Sequence, residues 1–219
     1  MDKLGKLKHH GKKVWKFFWY EDSVSSWIAN IIVAFMVIRF VVYPVLGAAL
    51  GTSFPIVAVV SESMEHGLHN GFLCGQKFDK FHHSFDNYWD VCGEWYENKG
   101  ITKEQFYKFK MNNGFNKGDV IILSRANINN IKLGDILVFQ ANKPQPIIHR
   151  AIKIWKENGK TYYQTKGDHN SDSTAKGLGE DKISQERIYG KSILRIPYLG
   201  WMKILFVDAV KPLGINIER

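Results

Sequence analysis

The sequence predicts a mainly β domain, interrupted by a helical insert and preceded by one membrane-spanning helix. Three observations predict it. Residues 27–51 form an apolar run, residues 67–116 carry aromatic side chains at helical spacing, and residues 52–66 and 117–200 hold apolar runs bounded by turn residues, as strands do. The 219 residues are 45% hydrophobic and 14% aromatic, which excludes a disordered chain and leaves room for one packed domain beside the span.

The formal charge of +9 is distributed as an orientation signal rather than as a nucleic-acid-binding face. Lys3, Lys6, Lys8, Lys12, Lys13 and Lys16 crowd the start against Asp2, whereas no Lys or Arg occurs between Phe40 and Gln76. Trp15, Phe17, Phe18, Trp19 and Tyr20 fit an interfacial helix on the inner leaflet, so residues 1–26 read as a cytoplasmic tail. From Trp27 to Gly51 only Asn30, Arg39 and Tyr43 break the apolar sequence. As a helix this run reaches about 37 Å, enough to cross a bilayer. A central arginine costs roughly 2.5–3.5 kcal/mol on insertion scales, while each Ile, Leu, Val or Phe returns a few tenths, so insertion wins. A cleaved signal peptide has an apolar region of only about 7–15 residues, and the run is therefore read as an uncleaved anchor. By the positive-inside rule the chain after Gly51 lies outside the cytoplasm.

Pro55 can open a strand, and Ile56–Val60 read as a buried strand ending abruptly in polar residues. Alternation puts Ser61 and Ser63 on one side and turns Glu62 away. In the insert, Ser84 is placed as an N-cap before Phe85, Tyr88, Trp89, Cys92, Trp95 and Tyr96, and Thr102 with Gln105 forms a capping box before Phe106 and Phe109. Their aromatic faces read as a small core that packs on the main domain. His66, His69, His82, His83, Cys74 and Cys92 match no tight zinc-binding spacing, so no metal is assigned. Cys74 and Cys92, the only cysteines, lie in a segment read as outside the cytoplasm and are expected to form a disulfide, with two buried free thiols as the alternative.

After Lys117 the Gly118-Asp119 and Gly134-Asp135 pairs each precede an apolar run, so both aspartates read as turn residues. Asn158-Gly159 between two further runs signals a two-residue hairpin turn. If no bulge intervenes, His149 faces Asp168 across that hairpin, with Cβ atoms about 4.5–5.5 Å apart. A carboxylate there would orient the ring and stabilise its protonated form, the support that a general base needs. The competing reading is a cross-strand ion pair without chemistry.

Ser61-Glu62-Ser63-Met64, Gly134-Asp135-Ile136, Ile148-His149-Arg150 and Thr165-Lys166-Gly167-Asp168-His169-Asn170, in that order after a single anchor, resemble type I signal peptidase in its archaeal and endoplasmic-reticulum form. The resemblance covers about Ile38 to Gly200. It implies a catalytic domain of coiled antiparallel sheets, with Ser63 as nucleophile, His149 in place of the lysine base of most bacterial relatives, and Asp168 as supporting acid. It also implies that Ser61, with the Ser63 amide, holds the oxyanion. A second aspartate falls on Asp172, with Asp181 as the other candidate. Two positions depart from the family pattern: Glu62 stands where glycine is usual and His66 where proline is usual. The resemblance further implies secretory preproteins as substrates, a lipid bilayer and the protein translocon as partners, no nucleic acid and no cofactor. The insert is longer than the link of the simplest members, as a lid or docking surface would be. In the C-terminal segment, residues 201–219, an apolar stretch too short to span is interrupted by Lys203 and Asp208, so it is expected to lie on the membrane or against the anchor. Two rivals differ in class: a membrane-anchored binding or assembly module with Ser63 structural, and a self-cleaving regulator, which the predicted orientation disfavours.

Overall fold

The computed structural model of the chain describes residues 3–173 and 177–210. They form two compact units, Met1–Ala49 and Leu50–Arg219. In the first, α1 (Lys3–Tyr20) turns at residues 21–23 into α2 (Val24–Val37), a π-helical stretch (Ile38–Val42) and α3 (Tyr43–Leu50). Ser23 caps α2, accepting from Ser26 N at 3.2 Å. The polar residues that begin the span are bonded locally: Ser26 Oγ donates to Phe17 O at 2.6 Å and Asn30 Nδ2 to Phe18 O at 3.1 Å. The continuous helix Val24–Leu50 has 27 residues and contains an 18-residue window of mean hydropathy 2.3, long and apolar enough to cross a membrane. Its widened turn has a local cause. Pro44 cannot donate to the ladder and its ring crowds the carbonyl four residues back; just before it the ladder slips, and Tyr43 N bonds Ile38 O.

The second unit carries a curled, seven-stranded antiparallel sheet. Its strands are β1 (Ile56–Ala58), β4 (Val120–Ser124), β5 (Ile136–Phe139), β6 (Ile147–Glu157), β7 (Lys160–Lys166), β8 (Ile183–Ser184) and β9 (Ile188–Ile196), while β2 (Phe72–Leu73) and β3 (Gln76–Lys77) form a separate hairpin. The order is β1-β4-β9-β5-β6-β7-β8, and register shifts in the β4–β9, β5–β9 and β6–β7 pairs bend the strands. Val59, Met64, Phe115, Ile121, Leu123, Ile136, Val138 and Ile148 form one core. The first strand differs from expectation. It ends at Ala58 and, as an edge strand bonded only to β4, leaves Ile56 exposed, although Val59 still bonds Asp119 O and Gly118 N. Ser61 and Ser63 consequently sit on a turn rather than on a strand.

The insert forms as its caps dictate. Ser84 accepts from Asn87 N at the start of α4 (Phe85–Glu97), and Thr102 and Gln105 complete a capping box on α5 (Lys103–Tyr107). Tyr88, Trp89, Cys92, Tyr96 and Phe106 pack with Leu73 and with Ile152 of β6, so the insert core is continuous with the sheet. Cys74 and Cys92 are disulfide-bonded, their Cα atoms 5.7 Å apart.

The β6–β7 hairpin turns at Asn158 (φ 49°) and Gly159 (φ 76°), with Glu157 opposite Lys160 as predicted. The pairing then slips. Between Ala151 and Lys153 one residue, Ile152, is extra on β6, so Arg150 faces Lys166 and the expected facing of His149 and Asp168 is lost. The bulged residue is buried in the insert core, which is the packing reason for the slip. Asp119 and Asp135 are turn residues, accepting from Asn116 N and Lys132 N. Of the C-terminal segment, α6 (Trp201–Val210) buries Ile204 and Val207 and exposes Met202, Leu205 and Phe206; residues 211–219 lie outside the described residues.

Candidate active site

Ser63 stands on the turn after β1, and its neighbour fixes it. Met64 is fully buried in the main core, and Phe115 N bonds Met64 O at 3.1 Å, so the backbone at the serine is pinned on the core side. On the other side His169 N donates to Ser63 O at 2.9 Å. Ser61 Oγ and Ser63 Oγ lie 3.2 Å apart, on one side as expected although a turn stands where the sequence predicts strand alternation, with Ser61 exposed and Ser63 half-buried.

Glu62 and His66, the two departures from the family pattern, each have a definite partner. Glu62 turns away and pairs with Lys117 Nζ at 2.8 Å. His66 Nε2 is 2.9 Å from Asp168 Oδ2, and its ring stacks on Tyr88 with centroids 3.5 Å apart. Burial pushes the His66 imidazole below its ordinary value against the pull of Asp168, so the ring is read as neutral and donating.

Asp168 belongs to a different network from the one expected. Arg150 Nε donates to Oδ1 at 2.9 Å, Arg150 Nη2 to Oδ2 at 2.6 Å, and Tyr96 Oη to Oδ1 at 3.1 Å. Burial by itself would raise this carboxyl, but the Arg150 guanidinium and the His66 hydrogen bond hold it well below the usual carboxylate range. Arg150 in turn donates to Lys110 O, Met111 O and Gly134 O and lies over the Phe106 ring. Lys166, next to this network, donates to Gly167 O and Asp168 O; burial pushes its ammonium down to about 8.

The carboxylate that meets His149 is Glu180, with Oε2 2.6 Å from Nδ1 and both side chains buried. Nothing in the sequence marked it. A Cβ built on Gly167 would lie 2.7 Å from His149 Nε2, from the Ser63 carbonyl oxygen and from Asn170 Nδ2, so the ring nitrogen and the backbone of Ser63 border the same space beside this loop. A glycine leaves that space free. Among the described residues no hydrogen bond joins Ser63 Oγ to the ring; Ser63 bonds Ser61 instead, a looseness common in ligand-free sites. Asp172 accepts from Trp95 Nε1 at 3.2 Å, and both Asp172 and Asp181 are exposed. Among the described residues no three of His, Cys, Asp or Glu gather as metal ligands.

No family model matches the chain. It is 32% identical over 106 residues to the signal peptidase complex catalytic subunit SEC11C of Homo sapiens, a match covering 46% of this chain and 55% of that protein. The signal peptidase complex catalytic subunit sec11 of Sclerotinia sclerotiorum is 33% identical over 102 residues, and SEC11 of Metarhizium robertsii 30% over 102 residues; each match covers 45% of this chain and 59% of the relative. The chain thus spans somewhat over half the length of the curated relatives it matches. Over that region it is similar to signal peptidase complex catalytic subunits.

Proposed function

We propose that this chain is a membrane-bound serine endopeptidase that removes N-terminal signal peptides from secretory preproteins. The observation that carries the reading is that His149 Nε2 and the Ser63 carbonyl border the same space beside Gly167. In this reading Ser63 Oγ attacks the scissile carbonyl carbon as His149 Nε2 takes its proton, and the oxyanion is held by the Ser63 N–H and the Ser61 hydroxyl. Collapse breaks the C–N bond, and His149 hands the proton to the leaving amine. Water then hydrolyses the acyl ester with the same ring as base. A shallow pocket selects small side chains at the first and third positions before the cut. No cofactor takes part. Asp168 holds Arg150 and the insert in place.

Val24–Leu50 anchors the protein as a single pass, with the lysine-rich tail in the cytoplasm and the peptidase unit outside, where preproteins emerge from a translocon. The test is incubation of the detergent-solubilised full chain with a preprotein. Ser63→Ala and His149→Ala should each lower cleavage by several orders of magnitude while the fold persists, because members of such a unit fail together. Near-normal cleavage by either variant would refute the assignment, and a binding module would keep its activity in Ser63→Ala.

A further inference from the structure

The geometry points to Glu180 as the positioning residue of His149, an inference that rests on reading Ser63 and His149 as the reacting pair. Asp168 cannot fill this place. Both of its oxygens are engaged, Oδ1 by Arg150 Nε and Tyr96 Oη and Oδ2 by Arg150 Nη2 and His66 Nε2. The Ile152 bulge also takes it out of register with His149.

Glu180 is fixed on the sheet at both backbone and side chain. Thr165 N donates to Glu180 O at 3.0 Å, and Thr165 Oγ1 donates to Oε2 at 3.3 Å, so strand β7 carries the carboxylate. The preceding residues are fastened as well: Arg187 Nη1 donates to Gly179 O and Asn142 N to Leu178 O. Among the described residues Glu180 Oε1 is buried with no hydrogen-bond partner, and the contacts of this carboxylate run through Oε2, to the imidazole and one hydroxyl.

A carboxylate accepts only, so the 2.6 Å contact requires the proton on His149 Nδ1. That assigns the tautomer and leaves the Nε2 lone pair on the side of Gly167 and Ser63. When Nε2 takes the Ser63 proton, the new imidazolium lies against an anion in a site that excludes water, where the stabilisation is largest. The proton moves from Ser63 Oγ to Nε2 and on to the leaving amine, and Glu180 stays ionised throughout.

The experiment compares wild type, Glu180→Gln, Glu180→Asp and Ser63→Ala full chains in detergent, following preprotein cleavage across pH alongside thermal unfolding. Glu180→Gln keeps a hydrogen-bond acceptor but loses the charge. It should lower kcat on the order of 10²- to 10⁴-fold with KM little changed. Glu180→Asp should recover part of the rate. A Gln variant with wild-type kcat, while Ser63→Ala is inactive, overturns the role of Glu180 and spares the peptidase reading. Full activity in Ser63→Ala overturns both. If Glu180→Gln fails to fold, the wild-type protein still decides the matter. Its His149 Nδ1–H should give a far-downfield proton resonance that is missing in His149→Ala, and a spectrum without it overturns the proposal.

Discussion

Replacing Asp168 by alanine should destabilise the peptidase unit more than almost any other single change, because it strands a cation. Arg150 and Asp168 are both fully buried, and their contacts run from 2.6 to 3.2 Å. Without the carboxylate the guanidinium keeps, among the described residues, the dipoles of the Lys110, Met111 and Gly134 carbonyls and the rings of Phe106 and Phe109. Breaking a buried pair by removing one partner costs about 3–5 kcal/mol. For a chain of this size each kcal/mol moves the unfolding midpoint by about 2–4 °C, so the expected drop is roughly 6–20 °C. Thermal unfolding of the full chain in detergent, followed by tryptophan fluorescence, measures it. The double change Arg150→Met with Asp168→Leu should be milder than the sum of the two single ones, since no charge is then left unpaired. A drop of less than about 3 °C for Asp168→Ala, under about 1 kcal/mol on the same scale, would refute the reasoning.

Two other outcomes follow from the same network. Gly167→Ala places a methyl 2.7 Å from His149 Nε2 and from the Ser63 carbonyl oxygen, so it should lower cleavage by roughly 100-fold, with the unfolding midpoint falling far less than in Asp168→Ala; unchanged kcat would count against the space that the two residues share beside this loop. Lys166 is held at about 8 against an ordinary 10.5, so the fold disfavours its charged form below pH 8 and the penalty is relieved as pH rises from about 8 to about 10.5. Over that window the wild-type protein should gain stability relative to Lys166→Met, on the order of 3 kcal/mol, and a flat difference in unfolding free energy would refute it.

The parts of this molecule that were legible in the sequence are those set by neighbours along the chain. Ser84 and Thr102 cap helices through bonds three residues away, and Asn158-Gly159 fixes its turn by backbone conformation alone. Ser61 and Ser63 share a side over a two-residue interval. What was not legible depends on packing between distant segments. The register beyond the hairpin is changed by one residue, Ile152, whose burial in the insert core no local pattern announces. A single bulge was enough to redirect the predicted His149–Asp168 pair. Glu180 follows a glycine in a loop 31 residues beyond His149, and chain order does not rank it above Asp172 or Asp181. Only the antiparallel pairing of β7 with β6, and the bonds of Thr165 to Glu180, bring it to the imidazole.

The insert is bound into the support of Ser63, which argues against an independent lid. Tyr96 Oη reaches the Asp168 carboxylate and Tyr88 Oη the Asp168 carbonyl, while Lys110 and Met111 offer their carbonyls to Arg150. The disulfide ties the β2–β3 hairpin to α4, and Cys74 N bonds His169 O. Apart from the disulfide, these contacts end on Arg150 or on the 167–170 loop, and that loop's His169 N–H holds Ser63 O. A lid gains its freedom from having few buried contacts with what it covers. Here, opening the insert would expose a guanidinium and a carboxylate whose partners it supplies, and it would loosen the loop beside Ser63 and His149. The length of the insert therefore serves first to hold this loop in place, and any docking role falls to the exposed side of the insert, where Tyr107 and Phe72 face solvent.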